Sequence, residues 1–258
     1  MTAPDARRPA TDPAVAPSAR SRRDTSATDL LLLDYNGVIV NDEPIHFAAL
    51  RDVLAVERVP MDRATYDAAY LGLDDRTCVT MAFAQAGRPL EAAALERLAA
   101  RKAEWYAETV RAGLPLVAGV RSFLRAAAEA GIAIGVVSGA LRREIAAGLE
   151  CAGIADVVRC VVGTEDVAVG KPDPAGYRLA LARLAEGARA PVRAVAFEDS
   201  GPGLAAARAA SAGCVLLATS FPRDRLTGGD AVWDSFAGHE PADLAPLFRE
   251  VDVRPPRT

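Results

Sequence analysis

Polar residues stand directly after several apolar runs that are typical of β-strands. The positions are Asp34 after LLLL, Ser138 after IAIGVV, Lys171 in VGKPDP after VVRCVV, and Glu198 with Asp199 after VRAVAF. A carboxylate can attack phosphorus, a hydroxyl and a lysine can bind phosphoryl oxygens, and an acidic pair can hold a hard divalent cation. Together these residue types are suited to phosphoryl transfer.

Each of these residues also has a purely structural explanation. Asp34 could form an Asx-turn, Ser138 could cap a helix, and the acidic pair could open a helix. Caps and turns do not explain why all of them follow strands in the order that one site needs. Gly201 and Gly203, which come next, either relax a loop or let the backbone approach a metal site closely.

The elements that must position these residues alternate between strand and helix patterns. The strands are apolar on both faces, which favours a parallel sheet, and their carboxyl ends form the edge where ligands bind in open α/β sheets. The predicted strands are 30–33, 132–137, 157–162, 192–197 and 214–218. The predicted helices between them are 120–130, 140–152, 174–184 and 203–212.

One interval of the chain interrupts this alternation. Residues 43–114 contain four helical patterns and no convincing strand, which predicts an all-helical cap inserted after the first strand. Residues 29–42 and 115–258 would then form the α/β core. Residues 1–28 are rich in Ala, Pro, Arg, Ser and Asp without apolar periodicity, so we expect a disordered tail rather than a targeting segment.

Composition limits the possible partners. The chain has 258 residues and a net charge of −4 without a basic block, which argues against nucleic acid as a partner. No apolar stretch reaches the ~20 residues that a membrane span needs. Four cysteines without metal-binding spacing are expected to be core thiols in a reducing cytoplasm. The expected partner is a small molecule, and the sequence does not indicate an oligomeric state.

The polar positions occur within the motifs DYNG, VVSGA, GKPDP and EDSGPG, in that order. In these motifs the chain resembles the haloacid dehalogenase superfamily, and within it the branch of β-phosphoglucomutases and phosphatases with a small helical cap. The resemblance implies a doubly wound, mainly parallel sheet with a Rossmann-like core. It also implies a Mg²⁺-dependent phosphatase that acts on a small phosphorylated metabolite through an aspartyl-phosphate intermediate.

The resemblance also assigns roles to individual residues. Asp34 corresponds to the nucleophile. The Mg²⁺ ligands would be Asp34, the backbone carbonyl of Asn36, Asp199, and Glu198 either directly or through water. The groups that bind the transferring phosphoryl group would be Ser138 and Lys171, with Gly139 beside them in the substrate site.

Asn36 departs from the pattern of the family. Most of its phosphatases have an aspartate at this position, which protonates the leaving oxygen and then activates water, and an amide does neither. Four explanations for this difference compete: a substrate with a good leaving group, a substitute acid such as His46, a long-lived aspartyl-phosphate, and lost catalysis. The corresponding alternatives to a phosphatase are a phosphosugar mutase and a phosphate-binding protein with reduced or lost catalysis.

The predicted cap contributes further candidates for substrate binding. His46 occupies the position of a histidine that orients the acid/base in the β-phosphoglucomutase branch, although it could simply lie at the boundary between cap and core. In YLGLDDRT, Gly72 would bend the chain and Arg76 would bind an anionic group, unless Arg76 is an exposed helix-start residue. Lys102 and Arg142 are further candidates for binding a distal phosphate or carboxylate, although ordinary solvated charges are the favoured interpretation. Leu141 stands where a mutase would use a lysine, which favours the phosphatase.

Overall fold

The computed structural model describes residues 27–71, 73 and 75–253. Of the predicted tail, residues 1–26 lie outside the described residues, whereas Thr28 begins the first strand. Gly72 and residues 254–258 also lie outside them. None of the described helices is long and apolar enough to cross a membrane.

A seven-stranded sheet organises the chain. Its strand order is β3-β2-β1-β4-β5-β6, all in parallel pairs, and β7 pairs antiparallel with β4. The strands are β1 Thr28–Leu33, β2 Ala133–Val137, β3 Val158–Val162, β4 Val192–Glu198, β5 Gly213–Leu217, β6 Ala231–Trp233 and β7 Arg249–Glu250. This confirms the predicted doubly wound, mainly parallel sheet.

Helices cover both faces of the sheet because side chains alternate along each strand. In β1, Leu31 and Leu33 contribute to a hydrophobic cluster on one face of the sheet, whereas Leu30 and Leu32 contribute to a second cluster on the other face. The four leucines are fully buried. The covering helices are α5 Val120–Glu129, α6 Arg142–Cys151, α7 Ala175–Leu184 and α8 Gly201–Ala209.

A helical segment separates β1 from α5. It contains α1 Glu43–Val56, α2 Arg63–Ala69, α3 Asp75–Gln85 and α4 Ala92–Ala112. Its buried side chains, which include Leu54, Tyr70 and Phe83, form a hydrophobic cluster separate from the two clusters on the sheet. The two ends of the segment run side by side, since Asn41 N donates to the Pro115 carbonyl at 2.8 Å. The exact division into cap and core stays a prediction.

The strand order reverses between β1 and β4, and a doubly wound sheet binds ligands at this point. Leu33, the last residue of β1, is paired with Val136 of β2 and Phe197 of β4. Asp34 therefore emerges beside the ends of both neighbouring strands. The register places the polar residues after β1, β2 and β4 at one edge of the sheet.

Several details differ from the expectations above. The short strands β6 and β7 were not predicted, because two or three residues are too few for a periodic pattern. Helix α6 begins at Arg142 rather than at residue 140. Cys151 is exposed on α6, so the interpretation of all four cysteines as core thiols is wrong for this residue, and only Cys78, Cys160 and Cys214 are buried.

Candidate active site

Asp34 is fixed by the backbone and by a lysine. Its amide N donates to the Phe197 carbonyl at 3.0 Å, which continues the pairing of β1 with β4. Its Oδ1 accepts a hydrogen bond from Tyr35 N at 2.7 Å. Its Oδ2 lies 2.8 Å from Lys171 Nζ, and the same Nζ lies 2.7 Å from Glu198 Oε1. The loop after β3 thus brings its lysine to the ends of β1 and β4.

Carboxylates crowd this edge of the sheet. Asp34, Glu198 and Asp199 each offer an oxygen, and these oxygens all lie within 4.8 Å of one another. Glu198 is fully buried and Asp199 is 7% exposed. With all three acids ionised and Lys171 charged, the group carries a formal charge of −2, and a divalent cation would neutralise that charge.

Burial and the neighbouring charges shift the pKa values of Glu198, Asp199 and Lys171. Burial raises the pKa of Glu198 to about 8, a rise that Lys171 opposes and Asp34 increases. Burial, followed by the nearby Asp34 carboxylate, raises the pKa of Asp199 to about 7. Burial alone would lower the pKa of Lys171, but the Asp34 and Glu198 carboxylates outweigh burial and hold it above its ordinary value.

Two residues that the sequence analysis missed orient the acidic pair. The Tyr177 hydroxyl, from α7, donates to Glu198 Oε1. The Ser220 hydroxyl, beyond β5, donates to Asp199 Oδ2. The sequence contains a signal for Ser220, since it is another polar residue shortly after a predicted strand, here β5. Tyr177 has no such signal, since it lies on the apolar face of a helix.

The site fits a hard divalent cation. Glu198 Oε1 has two partners, but Glu198 Oε2 is buried without a hydrogen-bond partner among the described residues. A Cβ at Gly203 would lie 1.8 Å from Glu198 Oε2, and one at Gly37 would lie 1.9 Å from Asp199 Oδ2. The glycines therefore leave room for both carboxylates, whose oxygens suit Mg²⁺. Of the two readings of Gly203, close approach to the site is the one that this geometry favours.

Ser138 and Gly139 lie at the end of β2, next to this acidic edge. Ser138 is buried, lines a small cavity together with Lys171 and Tyr177, and accepts a hydrogen bond from Ala140 N at 3.2 Å. It does not cap α6, because Leu141 occupies the N-cap position. Gly139 is exposed, and a Cβ there would meet only open space.

The Asn36 side chain contacts a carboxylate that the sequence analysis did not select. Asn36 Nδ2 lies 2.5 Å from Asp42 Oδ2, and the Tyr106 hydroxyl donates to the same oxygen at 2.7 Å. Asp42 was hidden from sequence reasoning because it precedes α1 and resembles an ordinary N-cap. In the structure it makes no side-chain capping bond and is 3% exposed.

His46 extends this network into the helical segment. Its Nε2 lies 3.3 Å from Asp42 Oδ2, its Nδ1 lies 2.7 Å from Lys102 Nζ, and its ring stacks on Tyr106. Burial alone would raise the pKa of Asp42, but the hydrogen bonds from His46, Tyr106 and Asn36 hold it below its ordinary value. The interpretation of Lys102 as a solvated charge is wrong, since it is 3% exposed and also pairs with Asp75.

The other candidates of the helical segment and α6 lie in different surroundings. Arg76 opens α3, and its guanidinium pairs with Glu96 of α4, both side chains being more than half exposed. A role for Arg76 in binding a substrate anion stays a prediction. Gly72 lies outside the described residues. Arg142, the first residue of α6, is paired with Asp166 from the segment after β3.

Known proteins resemble this chain over most of its length. A family model described as "haloacid dehalogenase-like hydrolase" matches residues 28–211. A phosphoglycolate phosphatase from Rhodospirillum rubrum is 32% identical, and the match covers 80% of this chain and 87% of that protein. The phosphoglycolate phosphatase from Pectobacterium atrosepticum is 29% identical, and the match covers 84% of this chain and 91% of that protein.

A solved structure agrees with these sequence matches. The crystal structure of CbbY from Rhodobacter sphaeroides in complex with phosphate has a TM-score of 0.64 and 25% identity, over 85% of this chain and 98% of that one. The named relatives support the expected enzyme class, that of phosphoric monoester hydrolases. The family match spans well over half of the chain and includes the residues that converge at the edge of the sheet. The chain therefore belongs to the haloacid dehalogenase-like hydrolases.

Proposed function

We propose that this hydrolase is a Mg²⁺-dependent phosphatase that hydrolyses a small phosphorylated metabolite through an aspartyl-phosphate at Asp34. The observation that carries the proposal is the position of Lys171 Nζ, 2.8 Å from Asp34 Oδ2 and 2.7 Å from Glu198 Oε1. A nucleophilic carboxylate, a cation for phosphoryl oxygens and a metal-ligating acid thereby meet at one point.

The reaction has two displacements at phosphorus. An Asp34 oxygen attacks the phosphorus, the bond to the leaving oxygen breaks, and its electron pair departs with that oxygen. Water then attacks the aspartyl-phosphate, the electron pair of the P–O bond returns to Asp34, and the released dihydrogen phosphate keeps both protons of the water. Lys171 and Ser138 would bind the phosphoryl oxygens in both steps.

The residues that would hold Mg²⁺ are Asp34, Asp199, Glu198 through Oε2 or a water, and the Asn36 backbone carbonyl. When bound, the cation neutralises the charge that collects between the phosphoryl group and the carboxylates. Tyr177 and Ser220 would keep the carboxylates oriented.

The substrate is proposed to be small because the helical segment adjoins the edge of the sheet where Asp34 lies. The relatives named phosphoglycolate phosphatase make phosphoglycolate a reasonable first compound to assay. His46, Gly139, Arg76 and Gly72 remain proposed contacts for the substrate.

A cytoplasmic location, expected from the composition, also stays a proposal. No specific observation among the described residues favours the phosphosugar mutase over the phosphatase.

The test is phosphate release from a set of small phosphate esters and acyl phosphates, with and without Mg²⁺. Asp34→Asn should abolish turnover, because an amide cannot form the phosphoenzyme. The matched control is Asp52→Asn, which removes a carboxylate that is 42% exposed on α1 and should leave turnover unchanged. Full activity of Asp34→Asn, measured on protein free of host phosphatases, would eliminate the covalent mechanism.

A further inference from the structure

The contact between Asn36 and Asp42 fixes the orientation of an amide. A carboxylate only accepts hydrogen bonds, so the amide atom 2.5 Å from Asp42 Oδ2 must be the nitrogen. The Asn36 amide group is thereby held by a buried carboxylate. The atom that remains available as an acceptor is Oδ1, which cannot supply a proton to a leaving group.

The neighbours of Asp42 are oriented as donors toward it. A lysine ammonium only donates, so His46 Nδ1 accepts from Lys102, and His46 Nε2 carries the hydrogen that points to Asp42. The Tyr106 hydroxyl donates to Asp42 as well. Asp42 is thus a carboxylate that accepts three hydrogen bonds, and neither Asp42 nor His46 is positioned to protonate a leaving oxygen.

The fold also preserves the amide of Asn36. Asparagine followed by glycine deamidates when the glycine nitrogen attacks the asparagine Cγ and ammonia leaves. Here Gly37 N donates to the Val40 carbonyl at 2.7 Å, which holds that nitrogen in another contact. The structure therefore favours the amide, and not an aspartate formed by ageing, as the working state of the enzyme.

We propose that the Asn36–Asp42 pair restricts this enzyme to phosphates whose leaving group departs without a proton, with acyl phosphates as the substrate class. This inference rests on the proposed function. When Asp34 attacks an acyl phosphate, the electron pair of the broken P–O bond leaves on a carboxylate, which is stable as an anion. An alkyl ester would release an alkoxide, which needs the proton that the pair cannot give.

A double substitution tests the pair directly. Asn36→Asp alone would place two carboxylates at hydrogen-bond distance, so its effect would mix charge repulsion with catalysis. Asn36→Asp combined with Asp42→Asn exchanges the two groups. The new amide at position 42 offers its oxygen to Tyr106 and His46 and its NH₂ to the new carboxylate at position 36. Asn41→Asp is the control, because it adds a carboxylate to the same segment at a side chain whose Oδ1 has no hydrogen-bond partner among the described residues.

The measured quantity is the ratio of kcat/KM for acetyl phosphate to kcat/KM for phosphoglycolate, with Mg²⁺ present. The exchange should lower this ratio by ~10²-fold relative to the wild type, because general acid–base catalysis contributes ~10²–10⁴-fold and assists the ester. Asn41→Asp should leave the ratio unchanged. An unchanged ratio in a folded exchange variant, with the wild type active on both compounds, would overturn the inference and leave the phosphatase intact.

A leaving-group series on the wild type keeps the inference testable if the exchange variant does not fold. With substituted phenyl phosphates, log kcat/KM should fall steeply as the leaving phenol becomes more basic, and a flat dependence would overturn the inference. If the wild type releases phosphate from no compound and intact mass spectrometry shows no phosphate adduct with acetyl phosphate, the proposed function itself fails and the inference fails with it.

Discussion

Gly203 and Gly201 occupy the same helix turn but differ in what surrounds them. A Cβ at Gly203 would collide with the Glu198 carboxylate, whereas one at Gly201 would have no heavy atom within 4 Å. Alanine in place of a glycine inside a helix is otherwise favourable by about 1 kcal/mol. Comparing the two glycines therefore separates the geometry of the Glu198 carboxylate from the stability of α8.

We expect Gly203→Ala to lower activity by ~10²-fold, since a displacement of about 1 Å at a reacting group costs this much. Gly201→Ala should retain activity. The melting temperature of Gly201→Ala should stay at or above that of the wild type, whereas in Gly203→Ala the collision with the buried Glu198 carboxylate offsets the gain in helix stability. Phosphate release and melting curves on both proteins check this prediction, and an active Gly203→Ala would show that Glu198 Oε2 does not need its present position.

At the scale of single residues, the sequence predicted the polar residues that follow strands. Asp34, Lys171 and the acidic pair share a position relative to the sheet, and this position is visible as an apolar run followed by a charge. Asp42 and Tyr177 were not predicted, because their importance comes from partners 6 and 21 residues away. Neither pair of residues lies within one helix or strand, so no local periodicity signals it.

At the scale of secondary-structure elements, Asp230 connects three elements that are distant from one another in sequence. Its Oδ2 accepts from Cys214 N of β5 at 2.7 Å and lies 2.9 Å from Arg208 of α8, and its Oδ1 contacts Arg249 of β7. Burial opposes ionisation, but these hydrogen bonds, with that of Arg249 the strongest, hold the pKa of Asp230 below its ordinary value. The ionised carboxylate therefore stabilises the native state.

We expect Asp230→Asn to lower the free energy of unfolding by about 2 kcal/mol at pH 7, the scale of a hydrogen bond to a charged group. Because the native pKa is lowered, this stabilisation is present above the unfolded-state value of about 3.9 and is lost as the pH falls through the native pKa. The difference between the proteins should shrink below about pH 4. Urea unfolding of both proteins at several pH values measures this difference in the free energy of unfolding.

The matched control for this prediction is Asp156→Asn. Asp156 pairs with Arg125, but its side chain is 64% exposed. Exposed ion pairs contribute about 0–1 kcal/mol, so this variant should stay close to the wild type at every pH. An equally large loss in both variants would mean that net charge, rather than the contacts of Asp230, determines the effect.

The five main strands and the helices around them were predictable because each is long enough for its hydrophobic period to appear. The strands β6 and β7 were not, since Ala231–Trp233 and Arg249–Glu250 are held by pairing with β5 and β4 rather than by their own pattern. For these short segments the tertiary contacts decide the structure.

For the whole molecule, we expect a protein that lacks residues 1–26 to have the melting temperature and kcat of the full chain. The composition of this segment predicts that it adds no apolar surface to a core. The described fold begins with β1 at Thr28, whose amide N donates to the Pro191 carbonyl at 2.8 Å. Melting curves and steady-state kinetics of both proteins test this. A loss of several degrees would mean that the segment docks on the fold.

The sequence by itself determined the fold class, the helical segment after β1 and the residues at the carboxyl ends of the strands, because these depend on local periodicity and on the order of elements. Only the tertiary structure decided which carboxylate faces Asn36, how Tyr177 and Ser220 hold the acidic pair, and that Lys102 is buried. These contacts join side chains from different elements. Their energies depend on burial and distance, which the order of residues along a chain does not specify.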